Sequence, residues 1–426
     1  MKSLLDKVNA KLNAQGGFLK AVSVLVGGTA FAQLIGFLCL PILTRLYTPE
    51  DYSVLGVYVA IVAILAVISC LRFDIAIPIP ENENDGKALL LLSFLSNIIF
   101  SIILYIVLFI SYPYIQHYKI IDQLSYWIWL IPLGVFVSGF YSALQFWATR
   151  HKRFKDIAKT RMTQAISGNA ASLAGGMFSV GFGGLIVGQL LNFSGGLFKL
   201  AVSAKKDLAV VKSSPLKATF AKYSNFPKYS TFEALANVSA IQLPLILLAS
   251  YIIGPAVGYL MLAMKVLGVP MGLIGSAFSQ VYLANANQHL ERKTLYSYTK
   301  SIIFKIFKIT IVPFVVLAII SPFIFGYIFG DNWNNVGYYI LAMLPWYFMQ
   351  ILSSPVSMSL HVIGEQKKAL IVQLIGFLVR VVGLFLFANL LIDKMIVYYF
   401  ISGFIFYIFY LIFILYRLYV SERNEF

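Results

Sequence analysis

Apolar runs of about twenty residues recur from residue 20 almost to the end of the chain, each long enough to cross a hydrocarbon core of about 30 Å. Inside lipid every backbone N–H and C=O must find a protein partner, which leaves helices and closed barrels as the spanning structures. A barrel would need segments of about ten residues with alternating polarity, and these are absent. The sequence therefore predicts an all-α polytopic membrane protein. Composition agrees, because 60% of the 426 residues are hydrophobic and only 12% are charged. A soluble chain of this length could not hide so much apolar surface in its cores.

Twelve spans fit the pattern, near residues 20–43, 53–71, 88–110, 125–148, 162–181, 183–203, 231–252, 255–283, 302–328, 336–363, 368–391 and 396–418. Basic residues test the count, since cytoplasmic segments carry the excess of Lys and Arg. With the N-terminus inside, 28 of the 33 Lys and Arg fall on inner segments. Only Arg45, Lys119 and Lys394 fall on outer ones, while Lys265 and Arg380 lie within spans. One span more or fewer would scramble this asymmetry, so the expectation is twelve transmembrane helices, N-in and C-in. The net charge of +16 is then a cytoplasmic coating facing anionic headgroups, and it gives no reason to propose nucleic acid.

The longest inner loop, 204–230, divides the chain into an N-lobe (1–203, spans one to six) and a C-lobe (231–426, spans seven to twelve). An even number of spans per half gives both lobes the same orientation, as in several transporter folds. Ahead of the first span, Leu4, Leu5, Val8 and Leu12 recur at helical spacing. That suits a short interfacial helix, with a frayed tail as the alternative.

No outer loop exceeds about 16 residues, and no phosphate-binding loop motif is present. Whatever the chain does, it does within the membrane and without hydrolysing ATP itself. Cys39 and Cys70 fall inside spans, so neither a disulfide nor a metal site is expected, and the four histidines form no cluster. Span five carries Gly168, Ser172 and Gly176, and span six Gly184, Gly188 and Gly196, a spacing that lets helix backbones approach closely. Proline interrupts several spans. Pro270, flanked by glycines in GVPMG, is the favoured site of movement.

The charges at membrane depth carry the functional reading. Arg380 sits in the middle of LIGFLVRVVGLFLFANLLI, where an arginine costs about 2.5–3.5 kcal/mol on insertion scales. Snorkelling is poor from that depth. Two readings stand, a water-filled cavity facing an anion or a structural ion pair. Lys265, in LAMKVLG, poses the same choice. Carboxylates are scarce in the spans. Asp74, where span two meets the cytoplasm, and Glu233, near the inner end of span seven, are the candidates for taking up a coupling proton or cation. Two deep cations without ATPase machinery point to translocation of an anionic substrate.

Four segments, LPILTRLYTPEDYSVLGVY (40–58), LRFDIAIPIP (71–80), QFWATRHKRFKDIA (145–158) and FPKYSTFEALANVSAIQLPLILL (226–248), carry a family pattern. The chain resembles the Wzx-type oligosaccharide flippases, relatives of MATE drug exporters and lipid II flippases, from about residue 20 to 290 and more loosely beyond. Pro41, Thr44, Arg45, Thr48, Pro49, Tyr52, Arg72, Ala76, Ile77, Pro80, Arg150, Arg153, Phe154, Phe226 and Pro227 match, while Ser53 stands where glycine is commoner. The resemblance implies two six-helix lobes around a central cavity. It implies a flippase in the bacterial inner membrane carrying an undecaprenyl-pyrophosphate-linked oligosaccharide to the periplasmic leaflet by alternating access, for O-antigen or capsule assembly. Arg45 and Arg72 then join Arg380 and Lys265 as candidate cations of the substrate path. No cofactor is expected beyond a proton or sodium gradient. Candidate partners are membrane lipids and a polysaccharide polymerase with its chain-length regulator. A drug or metabolite exporter of the same fold would want acidic residues in its lumen. A membrane-embedded polymerase would want a sizeable outer loop, and an acyltransferase a deep histidine; neither feature is present.

Overall fold

The computed structural model describes residues 17–208, 214–252 and 254–424, and no strand occurs among them. The N-terminal segment with Leu4, Leu5, Val8 and Leu12 lies outside the described residues. The long helices are α1 Gly17–Leu46, α2 Pro49–Ser69, α3 Glu83–Ile115, α4 Ile131–Arg150, α5 Phe154–Met177 and α6 Gly183–Ser194. There follow α7 Thr231–Tyr251, α8 Ala256–Glu291, α9 Leu295–Phe329, α10 Val336–Ser353, α11 Gln366–Leu390 and α12 Met395–Asn424. Eleven helical segments among the described residues are long and apolar enough to cross a membrane. The remaining expected span corresponds to α5, which starts eight residues earlier than its apolar run suggests and so takes in Lys155, Asp156, Lys159 and Arg161.

Neighbouring helices cover the small-residue face of α5, while Lys155 and Lys159 stay exposed. Gly28 of α1 lies against Ala158, where an added Cβ would come within 2.6 Å of that side chain. Gly188 of α6 faces the Gly168 carbonyl and the Ser172 hydroxyl so closely that a Cβ would sit 2.7 Å from that carbonyl oxygen. The small-residue stripe foreseen in spans five and six is thus a backbone-to-backbone seam. Helix α6 then breaks at Gly195–Gly196, where Gly196 takes φ +80 against Thr160, and the chain resumes as the helix Leu197–Leu208.

The described chain forms two compact units. Unit 1 runs to Leu46 and resumes from Val57 to Val238; unit 2 comprises Tyr47–Gly56 and Ser239–Phe426. The expected lobes differ from these in two respects. The boundary falls inside α7, and the first turns of α2 belong to unit 2. The second difference has a packing cause. Tyr52 is fully buried and meets Trp333 edge-on at 5.0 Å, whose indole N–H donates to the Tyr47 carbonyl at 3.3 Å. Gly258 of α8 lies flush on the Pro49 carbonyl, and Gly56 lies against the Met261 sulfur.

In unit 1 the family-pattern residues 71–80 form a knot below α2. Leu71 and Arg72 both adopt left-handed φ, +50 and +60, before the one-turn helix Phe73–Ala76. Two consecutive non-glycine residues there cost on the order of 1–3 kcal/mol each. Burial of Phe73, Ala76 and Ile77 among Leu89, Leu144 and Trp147 holds them. Arg150, its side chain 6% exposed, closes the knot by donating to the carbonyls of Ile77, Pro80 and Glu81 and to the Glu83 carboxylate.

Of the expected inter-lobe loop 204–230, the described residues 204–208 and 214–230 are largely helical and belong to unit 1. Residues 204–208 finish the helix Leu197–Leu208, Leu216–Lys222 forms another, and Phe226–Ser230 makes a π turn leading into α7. Asp85 accepts from the Ser214 hydroxyl and the Lys222 ammonium, both at 2.7 Å. Asp207 accepts from Arg153 at 2.6 Å and from the Trp147 indole at 3.1 Å. Burial pushes the Asp207 carboxyl up, but these two donors prevail and hold it below the usual carboxylate range. The alternation of polar and apolar residues here reads as a loop in one dimension, yet Asp207, Ser214 and Lys222 each find a partner in three.

Unit 2 packs α8, α9, α10 and α12 around Tyr282, Ile306, Ile351, Val356, Leu360 and Ile414. Helix α9 turns Val312, Ile319, Phe323 and Tyr327 outward, as a helix facing lipid does. Glu365, just before α11, takes Arg417 of α12 through its Nε at 2.6 Å and Lys368 at 2.7 Å.

Two expected outcomes follow. Arg150→Ala leaves three carbonyls and a carboxylate without their shared donor and is expected to destabilise the detergent-solubilised protein by about 2–5 kcal/mol in thermal unfolding. Arg417 holds the Glu365 carboxyl below its ordinary 4.5, so its stabilisation is full above that value and is lost as pH falls through the lowered one. Glu365→Gln should flatten that acid limb of a midpoint-against-pH curve.

Candidate functional site

Arg380 of α11 is 8% exposed. Its guanidinium carbon lies 4.3 Å from the centre of the Trp346 ring on α10 and 5.4 Å from that of Tyr399 on α12. These two rings meet edge-on at 5.1 Å. No carboxylate pairs with Arg380 among the described residues. Its Nε and Nη2 find no acceptor, and neither does the Trp346 indole Nε1. Gly403 makes room for the cage, since a Cβ there would lie 2.5 Å from Nη2 and from the Trp346 ring.

Magnitudes decide what this arrangement can do. Two desolvated cation–π contacts at about 2 kcal/mol each are of the size needed to offset the cost of about 2.5–3.5 kcal/mol for a central arginine. They do nothing for the N–H groups, and each buried donor without an acceptor costs about 1–3 kcal/mol. The rings therefore carry the charge while the donors stay unmet. Neither expected setting is found. Arg380 is not in a carboxylate pair, and in this conformation aromatic rings enclose it where an open, wet cavity was expected.

Lys265 differs. It projects from α8 with its side chain exposed and its ammonium 5.3 Å above the ring of the buried Tyr52. The two cations occupy separate aromatic settings joined by a run of ring contacts within unit 2. Tyr52 touches Trp333, Trp333 touches Tyr259, and Tyr259 touches Tyr339. Tyr339 meets Phe400, and Phe400 meets Tyr399 beside Arg380. Most of these rings are buried, so the run acts as a stiff spacer.

The other expected site residues are not gathered around these cations. Arg45 is exposed at the last turn of α1. Arg72 is half-buried in the left-handed knot with its Nε unsatisfied. Asp74, two residues on, is 5% exposed; its Oδ2 accepts from the Ser142 hydroxyl at 2.6 Å and its Oδ1 has no partner. Glu233 is exposed in the first turn of α7. Of the two coupling candidates, only Asp74 has the desolvated setting that coupling chemistry needs.

Sequence reading missed a polar cavity inside unit 1, beside Asp74. It lies between α4, α5 and α6, and Arg161 of α5 reaches into it. Counting Arg161 with the inner coating hid it. The signal was available in Ser138, Ser142 and Gln145 of α4, which share one helical face.

The architecture has counterparts among solved structures. Lipid II flippase MurJ in an inward closed conformation has a similar structure, with a TM-score of 0.72 at 14% identity over 91% of this chain and 86% of that one. An outward-facing multidrug resistance MATE family transporter of the MOP superfamily gives 0.60 at 15% identity, over 94% and 96%. A MOP superfamily transporter from Pyrococcus furiosus, described by the reverse polarity of its binding pocket, gives 0.61 at 15%, over 95% and 96%. At such identities the likeness concerns the fold alone. The chain belongs to the polysaccharide biosynthesis protein family, whose model matches residues 42–337. No curated protein sequence matches it.

If the Arg380 cage serves binding more than stability, an apolar residue of similar volume should fit it without loss. Arg380→Met is expected to unfold at the wild-type temperature or a few degrees above. Trp346→Ala, which empties a packed site, should cost about 3–5 kcal/mol in the same thermal assay. A large destabilisation by Arg380→Met would instead make the arginine a structural brace.

Proposed function

We propose that this membrane protein is a flippase of the Wzx type. It carries an undecaprenyl-pyrophosphate-linked oligosaccharide from the cytoplasmic to the periplasmic leaflet of the bacterial inner membrane, with both termini cytoplasmic. The observation that carries this reading is Arg380, a buried guanidinium in a polysaccharide-biosynthesis chain with unmet donors and no carboxylate among the described residues. A planar fork of donors suits a phosphate, whose oxygens accept in pairs. Lys265 adds a second deep cation that no carboxylate among the described residues neutralises. The polyprenyl tail stays in lipid, so only the headgroup and glycan need a polar path. Movement is by alternating access, in which each conformation exposes the site to one leaflet. The enclosed Arg380 is then a state that must open to bind.

A cation exporter of the same fold is the second reading. It fits less well, because the unneutralised groups at membrane depth in unit 2 are basic. Asp74 is the favoured carrier of a coupling proton or sodium ion, Glu233 being exposed. A polymerase and chain-length regulator remain candidate partners.

Deleting the gene should make lipid-linked repeat units accumulate on the cytoplasmic leaflet, and complementation should clear them. Arg380→Ala should fail to complement at normal protein level, Arg380→Lys should rescue in part, and Lys265→Ala should impair less. Full complementation by Arg380→Ala would remove the anion role. Transport that survives collapse of both proton and sodium gradients would remove Asp74 coupling.

A further inference from the structure

We propose that unit 1 holds a site for one acidic sugar residue, a carboxylate-bearing pyranose of the transported glycan, in the cavity beside Arg161. The identification of the ligand as part of that glycan rests on the flippase reading. The site itself rests on geometry. The cavity measures about 370 Å³, within the range of small-molecule sites. Ser138, Ser142, Gln145, Arg161, Gln164 and Asn192 line it, with Tyr141 and Phe193 supplying aromatic surface.

The hydrogen bonds already made determine what each group has left to offer. Arg161 Nη2 donates to Gln145 Oε1 at 2.8 Å, and the guanidinium carbon lies 5.6 Å from the Tyr141 ring centre. The Gln145 amide nitrogen and the remaining guanidinium N–H groups therefore stay available as donors. The Ser142 proton goes to Asp74, which leaves the Ser142 lone pairs as acceptors. Asn192 spends an amide hydrogen on the Gln164 carbonyl at 3.2 Å and keeps its side-chain oxygen. Thr160 donates to the Ile157 carbonyl, so in the 2.9 Å contact between the two hydroxyls Tyr141 is the donor, and Tyr141 too retains acceptor capacity. The wall thus mixes donors and acceptors, as the hydroxyls of a sugar ring require.

Charge narrows the class. Arg161 has no carboxylate partner among the described residues, so the cavity calls for one anionic group. A diphosphate would bring two or more negative charges to a single guanidinium, with the Asp74 carboxylate directly behind Ser142. Like charge at that range is unfavourable. A neutral sugar would leave the guanidinium unmatched. A ring bearing one carboxylate satisfies both the fork and the neutral wall.

The test is isothermal titration of the full-length protein in detergent with D-glucuronate, D-glucose and inorganic pyrophosphate. D-glucuronate is expected to bind at least about tenfold more tightly than D-glucose, the discrimination expected of a site built around a charged contact. Arg161→Gln should erase that preference. Gln145→Leu, which frees the guanidinium from its tether, should reduce it severalfold and decides the matter if Arg161→Gln fails to fold. Equal binding of glucose and glucuronate, pyrophosphate binding more tightly through Arg161, or a preference unmoved by both variants would overturn the site. The readout needs no transport. A chain that clears lipid-linked glycan yet shows no preference sinks this site alone, and a chain with the preference but no effect on lipid-linked glycan sinks only the flippase reading.

Discussion

Hydrocarbon offers a polar group no partner, and the internal order of each unit follows from how it meets that constraint. In unit 1 the problem is α5, which carries charge and amides along half its length. The solution is close cover. Glycines at 28 and 188 bring two neighbouring helices close along the small-residue face of α5, and its charged groups Lys155 and Lys159 stay exposed. The same cover leaves the cavity at Arg161, because helices held together by small residues at one level are spread by large side chains at another. Packing and polar interior have a single cause here.

Unit 2 meets the constraint with aromatic surface. Arg380 lies against an indole and a phenol that touch each other, and Lys265 sits over a phenol. A ring face satisfies charge without satisfying hydrogen-bond direction, whereas a carboxylate satisfies both. An arginine paired with glutamate would be inert toward a passing anion, since the anion would have to displace a ligand of its own kind. An arginine held by rings keeps its donors free. Its stability then rises when an acceptor arrives, which is the property a binding residue needs.

Much of the fold was legible. Apolar runs locate the long helices, because length and hydropathy are local properties. The seam of α5 and α6 was also visible in the spacing of Gly168, Ser172 and Gly188. What escaped was long-range. Residues 204–230 look like a loop because Ser214 and Lys222 are polar, and their partner Asp85 is more than a hundred positions away. The first turns of α2 belong to unit 2 through Tyr52 and Trp333, a pairing no window of sequence contains. Depth alone singled out Arg380 and Lys265. Their ring partners, and the fact that Arg161 lines a cavity, depend on which faces meet.

The charged groups of the two units also differ in their state of satisfaction, and that difference bears on function. Several charged groups at helix ends are matched, Arg150 with Glu83, Arg153 with Asp207 and Lys222 with Asp85 in unit 1, and Arg417 with Glu365 in unit 2. Such pairs fix helix ends and ask nothing of a ligand. Arg380 and Arg161 have no such counter-ion among the described residues, and Arg380 is buried. A chain that pairs cations at Glu83, Asp85, Asp156, Asp207 and Glu365 leaves these two for something it does not itself contain. Their surroundings divide the work, an aromatic cage where a guanidinium alone must hold an anion, and a hydroxyl and amide wall where it reads one among many neutral groups.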